Sequence, residues 1–402
     1  MQIFSCDQCG HPVFFENVLC LHCGSTLAFV PERMAMAAIE LATAESVDEQ
    51  PPQNVDALAS SQEPLWRPRV LKAHEDPMTR YRLCQNQSLH QACNFTVAVD
   101  DAHWLCISCR QTQILPDLSV DANRPRWLRI ENAKRRLLYT LLRLGLADAR
   151  GSQGPSYQFL ADLPGAPAVM TGHANGLITL NVAEADDDER ARRRMQLFEP
   201  YRTLLGHLRH ESGHYYWDQL IRDHPQRLTA FRALFGDETV DYMQSLQAHY
   251  ATSDDNEEWR LRFVSAYAAA HPWEDWAETW AHYLHMVDLL ETAASYSTRV
   301  VVPTANGTQD SGVDNPFGDN DGNFDQWIAQ WVPITLLLNS LNRSLGQDDA
   351  YPFALRDEAL QKLRFIHDVI ADHARSATGA QASPDSLPQA ADPEPFNAPT
   401  NG

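Results

Sequence analysis

Residues His210-Glu211-Ser212-Gly213-His214 place two imidazoles four positions apart, with a carboxylate beside the first. On a helix that spacing is one turn, so both rings leave the same face and can share one Zn2+. Glu211 then points towards a metal-bound water as general base. With 16 His in the chain, chance would supply the pattern only roughly 0.04 times per sequence. A catalytic zinc takes three protein ligands and keeps one position open, so a third ligand must come from another element.

The segment HPWEDWAETWAHYLH, residues 271–285, supplies the candidates. Glu274, Glu278 and His282 recur at i, i+4, i+8 and share a face with Asp275 and His285, while Trp273, Trp276, Trp280 and Leu284 form an apolar face. Glu278 is the choice for third ligand, with Glu274, His282 and His285 as the alternatives. His282, one turn past Glu278, is assigned a catalytic part, orienting a ligand or stabilising a developing oxyanion. Asp218 can accept the second N–H of a ligand imidazole. His207 reads as a supporting or packing residue, and Tyr215, Tyr216 and Trp217 as core.

All eight cysteines fall into two groups of four. Cys6, Cys9, Cys20 and Cys23 read C-x2-C, ten residues, C-x2-C, which brings two tight knuckles onto one tetrahedral zinc. Cys84, Cys93, Cys106 and Cys109 have only one tight knuckle, and His90 and His103 lie close enough to replace a cysteine. The four-cysteine set is the preferred reading. Four thiolates leave no open position, so both zinc ions are structural, making three Zn2+ in all with the catalytic one.

These sites need elements to hold them. The 402 residues, 44% hydrophobic and 9% aromatic, suffice for two or three compact units. The formal charge of -21 repels a phosphate backbone, and no run approaches the roughly 18 apolar residues of a membrane span. Neither nucleic acid nor a membrane is expected as partner. The start lacks a secretory signal and the thiols suit a reducing compartment, so a cytoplasmic protein is expected.

The expected organisation is a zinc ribbon at 1–30, a linker at 31–70, a second four-cysteine module at 71–115, the main domain at 116–372 and a disordered tail at 373–402. Residues 124–147 have helical periodicity, with Trp127, Ile130, Leu137, Leu138, Leu141, Leu142 and Leu144 on one side. The basic run Arg124 to Arg143 reads as the solvated face of that helix. Asn175-Gly176 is turn-like and precedes one strand, Leu177 to Val182. Residues 303–325 read as a long loop. Its Asp319-Asn320-Asp321-Gly322 lacks the full ligand series of a calcium site.

The C-x2-C pairs at the start, LLGHLRHESGHYYWD, FRALFGDE, HPWEDWAETWAHYLHMVD and LNRSLGQDDAYPF together resemble a bacterial family of zinc-binding metallopeptidases with an N-terminal zinc ribbon. The resemblance implies a gluzincin: His210, His214 and Glu278 on zinc, Glu211 as base, and the strand Leu177 to Val182 lining the cleft and pairing with extended substrate. The fold implied is α+β and mostly α, zincin-like with a short edge sheet. The function expected is zinc-dependent hydrolysis of a peptide or protein substrate, the ribbons serving as a docking point for protein. The competing readings are a zinc-ribbon scaffold that keeps the fold without turnover, and hydrolysis of a non-peptide amide.

Overall fold

The computed structural model describes residues 1–42, 64–73, 75–149, 154–190, 192, 203–251, 257–304, 307–318 and 323–381. The N-terminal part begins with β1 (Phe4–Ser5) and β2 (Pro12–Val13), a short hairpin. It continues through β3 (Thr26–Val30), β4 (Ala35–Leu41), β5 (Trp66–Pro68) and β6 (Tyr81–Leu83) to a short helix, α1 (Gln85–His90), and β7 (Thr96–Ala98). Strands β3 to β7 form one antiparallel sheet in chain order. The sheet's two edges meet again at a Phe29–Phe95 bridge, where Phe29 N–H donates to Asn94 O at 2.8 Å.

The cysteine-rich stretches therefore share one sheet. Strands β4 and β5 lie in the stretch expected to be a linker. Their Met36, Ala37, Ala38 and Ile39 are buried, which is why this run pairs rather than remaining a tether. Residues 43–63, the rest of that linker, lie outside the described residues, as does Asp319 to Gly322.

The second part starts with β8 (Thr112–Ile114), α2 (Asn123–Arg143), β9 (Ser156–Leu160), β10 (Gly172–Ala174) and β11 (Leu177–Asn181). Its sheet runs β10-β11-β9-β8, with β10 antiparallel to β11 and the other pairs parallel. Asn175 and Gly176, at φ 51° and 81°, make the tight turn between β10 and β11. Next come α3 (Leu204–Trp217), extended by a π turn at Asp218–Arg222, then α4 (Pro225–Phe235), α5 (Tyr242–Ala251) and α6 (Pro272–Ser295). A hairpin, β12 (Arg299–Thr304) with β13 (Gly307–Gly312), leads to α7 (Phe324–Ser344) and α8 (Asp357–Gln381). The last helix thus runs into the segment expected to be a disordered tail; residues 382–402 lie outside the described residues. No described helix is long and apolar enough to cross a membrane.

One core joins α2, β9, β11, α3, α6, α7 and α8 around Trp127, Trp276, Trp280, Phe159 and Leu180. Helix α2 is buried on two sides, because the cysteine-rich part packs against Leu138 and Tyr139 while the sheet packs against Trp127 and Ile130. Its basic run is accordingly only partly solvated. Lys134 is buried and ion-paired with Glu131 at 2.9 Å, and Arg135 is buried beside the second cysteine group.

Candidate metal centres

Helices α3 and α6 cross at close quarters, and the residue that permits it is Gly213. A Cβ there would lie 2.9 Å from the Ala277 Cα and 3.2 Å from Trp280, closer than packed atoms tolerate. Trp276 Nε1 donates to Gly213 O at 2.8 Å and Trp280 Nε1 to Ser212 Oγ at 3.1 Å. The apolar face of α6 thereby fixes its register on α3. Both helix starts are capped: the Thr203 hydroxyl accepts from Gly206 N, and His271 Nδ1 accepts from Trp273 N ahead of Glu274.

That register sets a carboxylate between the two imidazoles. Glu274 Oε2 is 3.0 Å from His210 Nε2 and 3.6 Å from His214 Nε2, and one ligand atom from each residue falls within 4.8 Å of the others. Glu274 Oε1 accepts from the Tyr242 hydroxyl at 2.7 Å, whereas Oε2 is buried with no hydrogen-bond partner. A buried carboxylate oxygen facing two Nε2 atoms without a hydrogen-bond donor aligned on it fits a divalent cation, and the donor set suits zinc. Glu278 meets the other side of His210: its Oε1 lies 2.7 Å from Nδ1, and its Oε2 accepts from Ser265 Oγ at 2.6 Å. Burial disfavours charge on His210, yet Glu274 and Glu278 outweigh it and hold its pKa well above the ordinary histidine range. A metal ion at Nε2 would displace that proton.

The cysteines form two compact groups, each with its four sulfurs within 4.8 Å of one another. Cys6 and Cys23 are 3.7 Å apart, as are Cys9 and Cys20. In the second group Cys93 and Cys106 are 3.6 Å apart. Neither His90 nor His103 joins in. His90 packs edge-on against Trp127, and His103 Nδ1 lies 3.1 Å from Asp101 Oδ1 on the surface.

A family model described as "Putative zinc-binding metallo-peptidase" matches residues 123–369, more than half of the chain. The chain belongs to this zinc-binding metallopeptidase family. A second model, a zinc-ribbon domain, matches residues 3–120. Three uncharacterized proteins are similar throughout: Mb2598c of Mycobacterium bovis, and MT2644 and Rv2568c of Mycobacterium tuberculosis. Each is 40% identical over 372 residues, covering 92% of this chain and 95% of its own length. No solved structure matches the chain.

Set against the family's motif, the sequence-derived residues divide into groups. His210, His214 and Glu274 converge, with Glu211 buried next to the first histidine; Glu278 stands behind His210. His282 lies one turn further along α6, fully enclosed, with Nδ1 2.6 Å from the Tyr351 hydroxyl and its ring on Phe353. His285 contacts Arg209, and His207 Nδ1 lies 2.7 Å from Glu184 Oε2. Asp218 Oδ1 is ion-paired with Arg222, and among the described residues the buried His214 Nδ1 has no hydrogen-bond partner. Tyr216 and Trp217 are core, while Tyr215 is half-buried against Gly176.

Strand β11 has a partner on each side, so its own edges are occupied; the edge strands of the sheet are β10 and β8, and β10 is the one beside the site. From β10, His173 stacks on His214 with ring centres 6.2 Å apart, and Trp273 lies tilted against His214 at 3.9 Å. The missed site residues are thus His173, Tyr242 and Ser265. An Asn-Gly turn implies strands on both sides, which is the signal that could have found β10. Tyr242 and Ser265 reach the site only through tertiary contact and leave no pattern in the sequence.

Proposed function

We propose that this chain is a zinc-dependent peptidase of gluzincin type, with His210, His214 and Glu274 as the zinc ligands. The observation that carries this reading is the convergence of a buried carboxylate oxygen, Glu274 Oε2, on the two Nε2 atoms of a helical H-E-x-x-H pattern, at 3.0 and 3.6 Å. Zinc bound there would polarise a scissile carbonyl and acidify a water molecule. Glu211 takes the proton of the attacking water and returns it to the leaving amine. Glu278 holds His210 through Nδ1, which orients the ring and makes it a better donor. The exposed edge of β10, next to His214, offers backbone hydrogen bonds to an extended peptide. Cytoplasmic residence is supported by eight thiols gathered into two clusters rather than paired in disulfides. The cysteine-rich part is proposed as the docking point for protein substrates or partners.

The test is cleavage of a peptide library read by mass spectrometry, with metal content measured in parallel. Glu211→Gln should keep its zinc and lose at least about 100-fold in rate. Undiminished cleavage in that variant would remove Glu211 as the base. A wild-type chain that holds the zinc and cleaves nothing would return the scaffold reading.

A further inference from the structure

A carboxylate that binds a catalytic metal has two oxygens, and something must decide how many of them are used. Here the two oxygens of Glu274 have different surroundings: Oε2 faces His210 and His214 without a hydrogen bond, and Oε1 receives the Tyr242 hydroxyl at 2.7 Å. Tyr242 is the first residue of α5, a helix with no fully buried residue. Its ring is seated on His271 and Trp273, with centres 5.2 and 6.1 Å apart. These residues lead directly into Glu274. The ring of a second tyrosine, Tyr267, stands 5.9 Å from that of His210. The phenol therefore approaches the carboxylate along a fixed line.

We propose that Tyr242 is a positioning residue for the metal centre, occupying Glu274 Oε1 so that the carboxylate binds through Oε2 alone and one coordination position remains open. This rests on the assignment of Glu274 as a zinc ligand. The physical case is that a phenol donates one hydrogen bond to a carboxylate, and that bond must break before Oε1 can turn onto the metal. Removing the hydroxyl leaves Oε1 without its donor and the carboxylate free to rotate. Groups that anchor a ligand in this way typically change metal affinity by about 10–100-fold. Nothing in the spacing of Tyr242 relative to the motif reveals the role, since the two are joined only by the fold.

The full chain carries its own control, because the two cysteine clusters hold metal independently of Glu274. Zinc retained after equilibrium dialysis against graded chelator would be counted in wild type, Tyr242→Phe and Glu274→Gln. The expected result is three zinc ions in wild type, one fewer in Glu274→Gln, and in Tyr242→Phe a third zinc bound about 10–100-fold more weakly with the other two unchanged. A third zinc bound as tightly in Tyr242→Phe as in wild type overturns the positioning role and leaves the site standing. Equal weakening of all three zinc ions also overturns it, since that is the mark of general structural damage. Equal zinc content in wild type and Glu274→Gln overturns the ligand assignment itself, and the role of Tyr242 with it.

Discussion

The first four-cysteine cluster faces water, and the second is sealed inside the molecule. Cys23 is exposed and Cys9 half-buried, whereas Cys84, Cys93, Cys106 and Cys109 are all buried. The first is built from two matching knuckles. Gly10 N donates to Cys6 O at 2.7 Å and Gly24 N to Cys20 O at 2.8 Å, each glycine turning the chain at φ 74° and 72°. The second has one such knuckle, Cys106 to Cys109; its other pair is separated by the whole of α1. What it lacks in local design it gains from its surroundings. Backbone N–H groups of Phe95, Cys106 and Cys109 reach its sulfurs at 3.3 to 3.4 Å. The buried Arg135 guanidinium, whose charge burial alone would disfavour, is held above its usual range by the charges of Cys93 and Cys109. Four thiolates around a divalent ion keep a net negative charge, and in the interior that charge needs a cation. The first cluster can leave its charge to water.

If that contrast is right, damage to the second cluster spreads furthest. Cys106→Ser removes a ligand from the middle of the core that joins the cysteine-rich part to α2. Structural zinc contributes about 10–16 kcal/mol in small modules, as much as the ~5–15 kcal/mol net stability of a whole domain. The expected outcome is loss of soluble folded protein, read by near-ultraviolet circular dichroism. A cooperative melt close to that of wild type would break the comparison at its strongest point. Arg135→Met comes next. It leaves the cluster's charge without its cation and the Ala92 carbonyl, now bonded at 2.9 Å, without its donor. The cost of an uncompensated buried charge is about 3–5 kcal/mol. Calorimetry should show that loss, and Arg135→Lys should recover part of it; full stability in Arg135→Met would make the cation incidental.

The same division between local and distant construction explains what could be read from the sequence. His210, Glu211 and His214 lie within one helical turn, and the first cluster within eighteen residues, so composition and spacing expose both. The face of α6 was legible too, with Glu274, Glu278, His282 and His285 all on it. Which turn of that face meets the imidazoles is a matter of register. Register depends on Gly213 admitting Ala277 and on two indole hydrogen bonds, none of which periodicity reports. Spacing alone does not separate Glu278, the residue chosen from sequence, from Glu274; the crossing brings Glu274 to the two Nε2 atoms and Glu278 to Nδ1. The linker reading failed at β4 for a related reason. Its alternation is hidden in alanines, which bury little by themselves and gain their place from the sheet around them.

The smallest effect is expected where the first cluster meets solvent. Cys23 lies 3.2 Å from Ser25 Oγ and is the exposed member of its group, so its replacement opens no cavity in the core. In Cys23→Ser three thiolates remain, and water can complete a tetrahedral zinc as it does at open sites. Stability should fall by no more than about 1–2 kcal/mol. The zinc should exchange faster than that of the second cluster, measured by isotope-labelled zinc and mass spectrometry. The first cluster couples to the peptidase part at two places. At the end of α6, far along the helix from Glu274, Ile3 N donates to Ser295 Oγ at 3.1 Å and Thr292 Oγ1 to Met1 O at 2.6 Å. On α2, Arg136 pairs with Glu16 at 2.5 Å and Tyr139 packs on Phe4 and Phe15. A loosened first cluster therefore acts on α2 and the last turn of α6, and none of these contacts reaches the first turn of α6, so zinc at His210, His214 and Glu274 should be retained at wild-type level. Loss of that third zinc in Cys23→Ser would mean that the exposed cluster, not the buried one, holds the ligand helix in register, and the contrast would have to be drawn the other way round.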